Sequence, residues 1–174
     1  MQVDCLPRGR RWHHEPVTNH QSFLDRAVDL AITNVAGGGG PFGAVVVRDG
    51  VVLGEGANSV TTTLDPTAHA EVVAIRAACR EVGDFALVGA TIYASCEPCP
   101  LCLSAALWSR VDAVVHAADQ HAAAEAGFDD AVFHGLLDPS SDLAAWPLRR
   151  LHVPTPRSHE PFDAWAGRAD RTAY

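Results

Sequence analysis

Apolar residues recur at helical spacing in two parts of the chain, and prolines suited to a first turn mark a third helical segment. The first run extends from Ser22, a candidate N-cap, to Gly37, a candidate stop. The second covers residues 68–82, and the third covers residues 98–110, where early prolines suit the first turn of a helix. The pattern therefore predicts three helices.

Between and after these runs the chain has short segments typical of strands. Residues 44–48 and 51–57 are rich in β-branched side chains and flank Asp49-Gly50, a strong hairpin signal. Residues 91–95 and 111–117 are predicted as two further strands. Helical crossovers join the later strands, so the order predicts an α/β fold, with three α/β/α layers around a central mixed sheet.

The two ends of the chain carry weaker signals. Residues 1–20 mix Pro, Arg and His without periodicity and are predicted to be a flexible N-terminal extension. Residues 21–174 are expected to form a single domain, since their number is close to that of one typical domain. Prolines interrupt the tail, and Phe162, Trp165 and Ala169 suggest a short amphipathic helix near its end.

Composition and charge exclude several functions. The formal net charge is −8 and the chain has no lysine, so an RNA- or DNA-gripping surface is not expected. The lack of lysine also excludes a Walker phosphate loop and a pyridoxal Schiff base. No secretory leader and no apolar run long enough for a bilayer stand out, so we expect a soluble, cytoplasmic protein without a membrane partner.

The residues that carry chemistry fall at two predicted helix starts. The first start contains His69 and Glu71, and the second contains Cys99 and Cys102. Two cysteines three positions apart lie on one helix face and can hold one ion. The positive end of the helix dipole lowers thiol pKa values and so favours the thiolates that a metal requires.

These positions predict a catalytic Zn²⁺ site. His69 and Glu71 would both project past the helix end, and His69, Cys99 and Cys102 would supply three ligands. Three protein ligands leave one tetrahedral position of zinc for water, as in catalytic sites. Glu71 would remain free to take and return protons. This combination is the one that zinc deaminases of bases use.

Other interpretations remain open at this stage. Cys96 could complete a structural site with four protein ligands, which would make the chain a non-catalytic, zinc-stabilised interaction module. An iron–sulfur site is disfavoured because Ala106 stands where a fourth cysteine would be needed. Cys79, on an apolar helix face, is predicted to be a packed side chain.

From residue 41 to the end, the sequence resembles the cytidine deaminase-like superfamily and, within it, the bacterial guanine deaminases. The stretches that carry the resemblance are Pro41-Phe42-Gly43-Ala44, Asp65-Pro66-Thr67-Ala68-His69-Ala70-Glu71, Ser95-Cys96-Glu97-Pro98-Cys99-Pro100-Leu101-Cys102, Glu125-Ala126-Gly127-Phe128-Asp129-Asp130 and Pro161-Phe162-Asp163-Ala164-Trp165. The resemblance implies hydrolysis of guanine to xanthine and ammonia. Another aminopurine or triazine, a nucleoside, cytosine or tRNA adenosine stays open as the substrate.

The resemblance also implies which residues contact a nucleobase. Asn58 would hydrogen-bond the base, Phe42 and Trp108 would line the pocket, and Ala70 would contact the substrate. Judged as residues alone, the two aromatic side chains could equally belong to the core, and Asn58 could cap a loop.

Two further roles follow from the same resemblance. Asp130 would contact the substrate and assist proton transfer at its amino group, although it could instead be a solvated or helix-capping acid. The C-terminal segment would cross to a second subunit, where Tyr174 closes the site, which implies a homodimer with exchanged tails. Tyr174 could also be a frayed terminus that takes no part.

Overall fold

The computed structural model describes residues 20–128, 130–135, 159–161 and 169. Ten helices and strands occur in this part of the chain. In chain order they are α1 (His20–Ala36), β1 (Gly43–Arg48), β2 (Val51–Ala57), α2 (Val60–Thr63), α3 (Ala70–Val82), β3 (Thr91–Cys96), α4 (Pro100–Trp108), β4 (Ala113–Ala118), α5 (Gln120–Glu125) and α6 (Ala131–His134).

The four strands form one sheet in the order β2-β1-β3-β4. Strand β1 is antiparallel to both β2 and β3, whereas β3 and β4 are parallel. A tight turn suffices for the antiparallel hairpin, while the parallel pair is joined through α4. The predicted mixed sheet is confirmed.

Helices cover both faces of the sheet. Alternate residues of β1 point to opposite faces, so Val45 and Val47 pack with Ala27 of α1, while Ala44 and Val46 pack with the residues of α3 and α4. The two clusters of buried residues lie on opposite sides of the same strands. The three-layer α/β/α architecture predicted from the sequence is therefore confirmed.

Glycines let two of the helices approach the sheet closely. A Cβ atom at Gly43 would lie 2.2 Å from the carbonyl oxygen of Ala27 in α1. At Gly56 it would lie 2.2 Å from the carbonyl oxygen of Ala70, the first residue of α3. Since backbone cannot yield as a flexible side chain does, the absence of side chains here fixes where α3 begins relative to β2.

Several predicted boundaries were wrong. Helix α1 begins at His20, two residues before the predicted cap, so Ser22 lies inside the helix and His20 is not part of an extension. The His20 ring hydrogen-bonds the hydroxyl group of Tyr93 at 2.9 Å, which anchors this first turn to β3. A tertiary contact of this kind leaves no local signal in the sequence.

The remaining differences concern ends and short elements. Helix α4 ends at Trp108 rather than near residue 110, and β4 covers 113–118 rather than 111–117. The short helices α2, α5 and α6 were not predicted. The predicted extension up to residue 19 and most of the predicted tail helix lie outside the described residues. Within the described part, no helix has both the length and the apolar character needed to cross a membrane.

Candidate active site

One edge of the sheet gathers almost all of the predicted site residues. Gly43 at the start of β1 pairs with Ala57 at the end of β2, and the ends of β3 and β4 lie beside each other at Cys96 and Ala118. Because β1 runs opposite to the other three strands, its first residue and their last residues meet at the same edge. The loops that leave this edge carry the helix starts predicted to bind metal.

The three predicted ligands lie together at two helix N-termini. His69 is the N-cap residue of α3, and Cys99 is the N-cap residue of α4. Both have extended backbone angles, so their side chains project beyond the helix ends. Cys102 lies in the first turn of α4 and is buried. The ligand atoms of these residues all lie within 4.8 Å of one another.

The spacing of the ligand atoms fits a tetrahedral zinc ion. Nδ1 of His69 lies 3.5 Å from Sγ of Cys99 and 3.5 Å from Sγ of Cys102. The two sulfur atoms are 3.7 Å apart. Zinc bonds of about 2.3 Å to sulfur and about 2.0–2.1 Å to nitrogen at tetrahedral angles require separations of roughly 3.5 Å for N to S and roughly 3.8 Å for S to S. The observed triangle therefore matches the donor set and size that zinc requires.

A hydrogen-bonded turn sets the position of His69. One carboxylate oxygen of Asp65 accepts hydrogen bonds from the backbone NH of Thr67 at 2.8 Å and from its hydroxyl group at 2.6 Å. The NH of Ser59 then bonds the carbonyl oxygen of Ala68 at 2.9 Å. These bonds hold the segment just before α3, so the position of His69 is fixed by hydrogen bonds before any metal binds.

The contacts among the three ligands shift their pKa values in different directions. A hydrogen bond from the Cys102 thiol, followed in importance by one from His69, lowers the pKa of Cys99 to about 4 despite its partial burial. The same contact with Cys99 raises the pKa of Cys102, and burial adds to that rise. A hydrogen bond with Cys99 also raises the pKa of His69. A thiolate is thus held at the start of α4, where the helix dipole favours negative charge.

Glu71 is the buried carboxyl group of this site. Only 8% of its surface is exposed, and burial raises its pKa above the ordinary value for a glutamate. Its carboxyl group hydrogen-bonds the Cys102 side chain, so it lies beside the metal ligands without being one of the three. A carboxyl group with a raised pKa next to a metal position is suited to moving protons near neutral pH.

Cys96 does not join the ligands. Its thiol donates to the carbonyl oxygen of Asp119 at 3.4 Å, and burial raises its pKa. Within the described residues the cluster of metal-binding atoms contains His69, Cys99 and Cys102 and leaves Cys96 out. This geometry disfavours the structural site with four protein ligands that the sequence left open.

Asp130 interacts electrostatically with residues of the site. It precedes α6, and one of its oxygens lies 3.2 Å from Nε2 of His134. After the hydrogen bond with Cys99, its negative charge is a smaller contribution to the raised pKa of His69, and after burial it is a smaller contribution to the raised pKa of Cys96. The charge of Asp130 therefore acts on the site although this residue lies more than 25 positions beyond the last metal ligand in the sequence.

Phe42 and Asn58 lie at the same edge, just before β1 and just after β2. The Phe42 ring is half-buried and meets Phe128 edge to face, with ring centroids 5.0 Å apart. Oδ1 of Asn58 accepts a hydrogen bond from the NH of Val60 at 3.3 Å, as expected for a loop cap. Among the residues that the structure describes, no acceptor is bonded to its Nδ2 group.

Two other residues predicted to contact the substrate, Ala70 and Trp108, differ in their distance from the metal ligands. Ala70 is buried in the first turn of α3, between the ligand His69 and Glu71. Trp108 is 63% exposed and lies at the end of α4 far from the ligands, roughly 13 Å along the helix axis from Cys99. Its pocket-lining role stays a prediction, and Tyr174 lies outside the described residues.

Sequence reasoning overlooked Asn34. Its side-chain amide donates to the carbonyl oxygens of Gly40 and Asn58, at 2.8 and 2.7 Å. An asparagine near the end of a helix, followed by four glycines, is the signal that was available. That signal is weak, because nothing local indicates that the amide reaches a second segment of the chain.

The sequence profile described as "Cytidine and deoxycytidylate deaminase zinc-binding region" matches residues 17–118. The chain is similar to the guanine deaminase of Bacillus subtilis strain 168, with 48% identity over 157 residues that cover 90% of this chain and 99% of the relative. The X-ray structure of the B. subtilis guanine deaminase superposes with a TM-score of 0.83 at 46% identity, covering 89% of this chain and 98% of the other.

A more distant relative is the tRNA-specific adenosine deaminase of Haemophilus influenzae. It is 35% identical over 131 residues, which cover 72% of this chain and 76% of the relative. The matched profile ends at residue 118, the last residue of β4. The metal ligands and Glu71 therefore fall inside the matched region, and Asp130 falls beyond it.

Proposed function

This chain belongs to the cytidine and deoxycytidylate deaminase zinc-binding family, and on that basis we propose that it is a zinc-dependent aminohydrolase that converts guanine to xanthine and ammonia. The observation that carries the proposal is the arrangement of three ligand atoms, His69 Nδ1 and the sulfur atoms of Cys99 and Cys102, beside a buried carboxyl group. The three ligands alone would only bind a metal, whereas the unligated Glu71 adds a group that can carry protons. Together they provide what hydrolysis of an amine-bearing ring requires.

His69, Cys99 and Cys102 would hold the zinc ion, which when bound would activate a water molecule as the nucleophile. Glu71 takes a proton from the attacking water and transfers it to the ring nitrogen next to C2 of guanine. Its burial excludes bulk water from this exchange and keeps the proton between carboxyl group and substrate. Glu71 then carries the second proton of the water to the departing amine, which leaves as ammonia.

The guanine assignment rests on the whole-length similarity to the B. subtilis enzyme and on residues outside the zinc motif. Phe42 and Phe128 offer apolar ring surfaces at the site edge, against which a planar base would pack. The Nδ2 group of Asn58, which bonds no acceptor among the described residues, would donate to an acceptor on the base. Asp130 carries a negative charge near His69, and we propose that it accepts a hydrogen bond from the 2-amino group.

The test is a substrate panel with a matched inactive variant. Zinc-loaded protein is incubated with guanine, guanosine, 2-aminopurine, a diaminotriazine, cytosine and cytidine, and ammonia and ring products are measured. We expect xanthine and ammonia from guanine with the highest kcat/KM, and a loss of about 10²–10⁴-fold in Glu71→Gln with unchanged zinc content.

Glu81→Gln is the control, because Glu81 is an exposed acid at the far end of the same helix. A clear preference for cytosine or cytidine would reject the guanine assignment. Equal rates for the unmodified protein and Glu71→Gln would reject the deaminase mechanism.

The similarity to tRNA-specific adenosine deaminases supports a second candidate substrate. The net charge of −8 and the lack of lysine disfavour it, because phosphate neutralisation by cations provides most of the affinity for RNA. A gel-shift assay with tRNA at physiological salt separates the two candidates. Inosine formation in tRNA would establish the second.

We also propose that the protein acts in the cytoplasm as a homodimer with exchanged C-terminal segments, Tyr174 closing the partner's site. What supports association is the exposed apolar surface at the end of α4, where Leu107 and Trp108 are 68% and 63% exposed. Light scattering measures the mass in solution. A monomer that turns over guanine at full rate would overturn this part of the proposal.

A further inference from the structure

We infer that Asn34 is a positioning residue that sets the place of Asn58 and Phe42 at the base-binding edge. The inference rests on the proposed function, because it gives these two residues a base to contact. Asn34 itself lies on α1, on the other face of the sheet from α3 and α4, and touches none of the metal ligands. Any effect of Asn34 on the reaction must therefore pass through the segments that it holds.

Both protons of the Asn34 amide are used. Nδ2 donates one hydrogen bond to the carbonyl oxygen of Gly40 at 2.8 Å and another to that of Asn58 at 2.7 Å. The amide nitrogen has two N–H donors, so its capacity to donate hydrogen bonds is fully used. The bonds join the segment before β1 to the segment after β2, and the half-buried side chain is screened in part from competing water.

Backbone hydrogen bonds continue this link to the residues proposed to meet the base. The NH of Phe42 donates to the carbonyl oxygen of Gly40 at 2.9 Å, and the NH of Asn58 donates to that of Phe42 at 3.0 Å. A Cβ atom on Gly40 would lie only 3.0 Å from Oδ1 of Asn58, so the glycine loop also limits where the Asn58 side chain can go. The amide of Asn34 bonds both segments from outside them.

Gly39 closes over the amide. A Cβ atom at this position would lie 2.4 Å from Nδ2 and 2.5 Å from Oδ1 of Asn34. Only a residue without a side chain leaves the amide in its present place. Gly39 has no positive backbone φ angle, so a substitution there acts through space and not through backbone strain.

The first test replaces Asn34 by an isosteric group that cannot donate. Asn34→Asp keeps the shape, removes both donors and places a negative charge against two carbonyl oxygens. We expect KM for guanine to rise at least about tenfold, because two hydrogen bonds that hold a binding segment are lost. kcat should change less than about threefold and zinc content not at all, because the metal ligands and Glu71 lie on separate elements.

We call the two hydrogen bonds from the Asn34 amide to Gly40 and Asn58 the clamp. Two matched controls separate the effect of losing the clamp from the effects of added charge and of general destabilisation. Thr33→Asp adds the same charge to an exposed neighbouring position, and it should leave KM unchanged. Gly39→Ala should reproduce the rise in KM, whereas Gly37→Ala should not, because its Cβ would meet only ordinary contacts at 3.4 Å or more. An equal rise in KM for Asn34→Asp and Thr33→Asp would overturn the inference.

A double-mutant cycle with Asn58→Ala tests the route. If Asn34 acts by placing Asn58, Asn34→Asp should raise KM much less in the Asn58→Ala background than in the unmodified protein. Amide hydrogen exchange at Phe42 and Asn58 provides a readout without substrate, and both amides should exchange faster in Asn34→Asp. Unchanged exchange would reject the clamp even if guanine is the substrate, while faster exchange in a protein that does not turn over guanine would reject the proposed function alone.

Discussion

The metal-binding half of the edge and the half proposed to contact the base are built in different ways. His69 is the N-cap residue of α3, which Gly56 lets begin in contact with β2, and Cys99 is the N-cap residue of α4, which packs beside α3. Phe42 and Asn58 lie in loops, and side-chain hydrogen bonds from a distant helix hold the loop backbone. The first half is positioned by close packing and the second by a few directional bonds.

This difference indicates which half of the edge can change its structure without loss of the metal site. Packed helix ends cannot shift without disturbing the core, so they suit ligands whose mutual distances must be correct to a few tenths of an ångström. Loops can change shape while the metal site stays intact. A fold of this kind can therefore keep one hydrolytic centre and change the ring that it accepts.

The largest effect is expected from removing a packed ligand. Cys102→Ser replaces a sulfur that lies 3.5 Å from the His69 nitrogen by a harder and shorter group, and zinc should be lost. Activity should fall at least ~10³-fold, since nucleophile activation depends on the metal. Metal content by atomic emission and kcat/KM are the measurements. Cys79→Ser, a half-buried cysteine outside the cluster, is the control and should keep zinc. Full zinc occupancy in Cys102→Ser would contradict the view that the packed helix ends hold the metal through Cys102.

An intermediate effect is expected from the loop side of the site. Asp130→Asn removes the charge that acts on His69 but leaves the three ligands in place. kcat/KM for guanine should fall about 10²-fold, as for loss of a group that assists proton transfer, with zinc content unchanged. Asp29→Asn, an exposed acid on α1, is the control. Zinc loss in Asp130→Asn would show that the two halves are not independent.

The smallest effect is expected at Cys96, which neighbours the ligands in sequence but not in function. A serine hydroxyl group can keep the hydrogen bond to the carbonyl oxygen of Asp119. Cys96→Ser should therefore retain full zinc and a kcat/KM within about twofold of the unmodified protein. Loss of the metal would instead reveal a fourth protein ligand and would contradict the catalytic site.

Much of the site could be predicted because its chemistry is local. The ligands Cys99 and Cys102 are three positions apart on one helix, and His69 and Glu71 are two apart at a helix start, so short-range geometry brings each pair together. Helix boundaries were less predictable. The first turn of α1 depends on a bond from His20 to Tyr93, 73 positions away, which no periodicity reveals.

By itself the sequence determined the layers, the mixed sheet, the candidate metal ligands and the carboxyl group proposed to carry protons, because hydrophobic periodicity and ligand spacing are properties of neighbouring residues. Only the tertiary structure decided that Cys96 turns to Asp119, that the charge of Asp130 acts on His69, and that Asn34 joins two loops. The physical reason is that these contacts depend on which strand ends meet at one edge of the sheet. That arrangement follows from the packing of the whole domain rather than from any short stretch of chain.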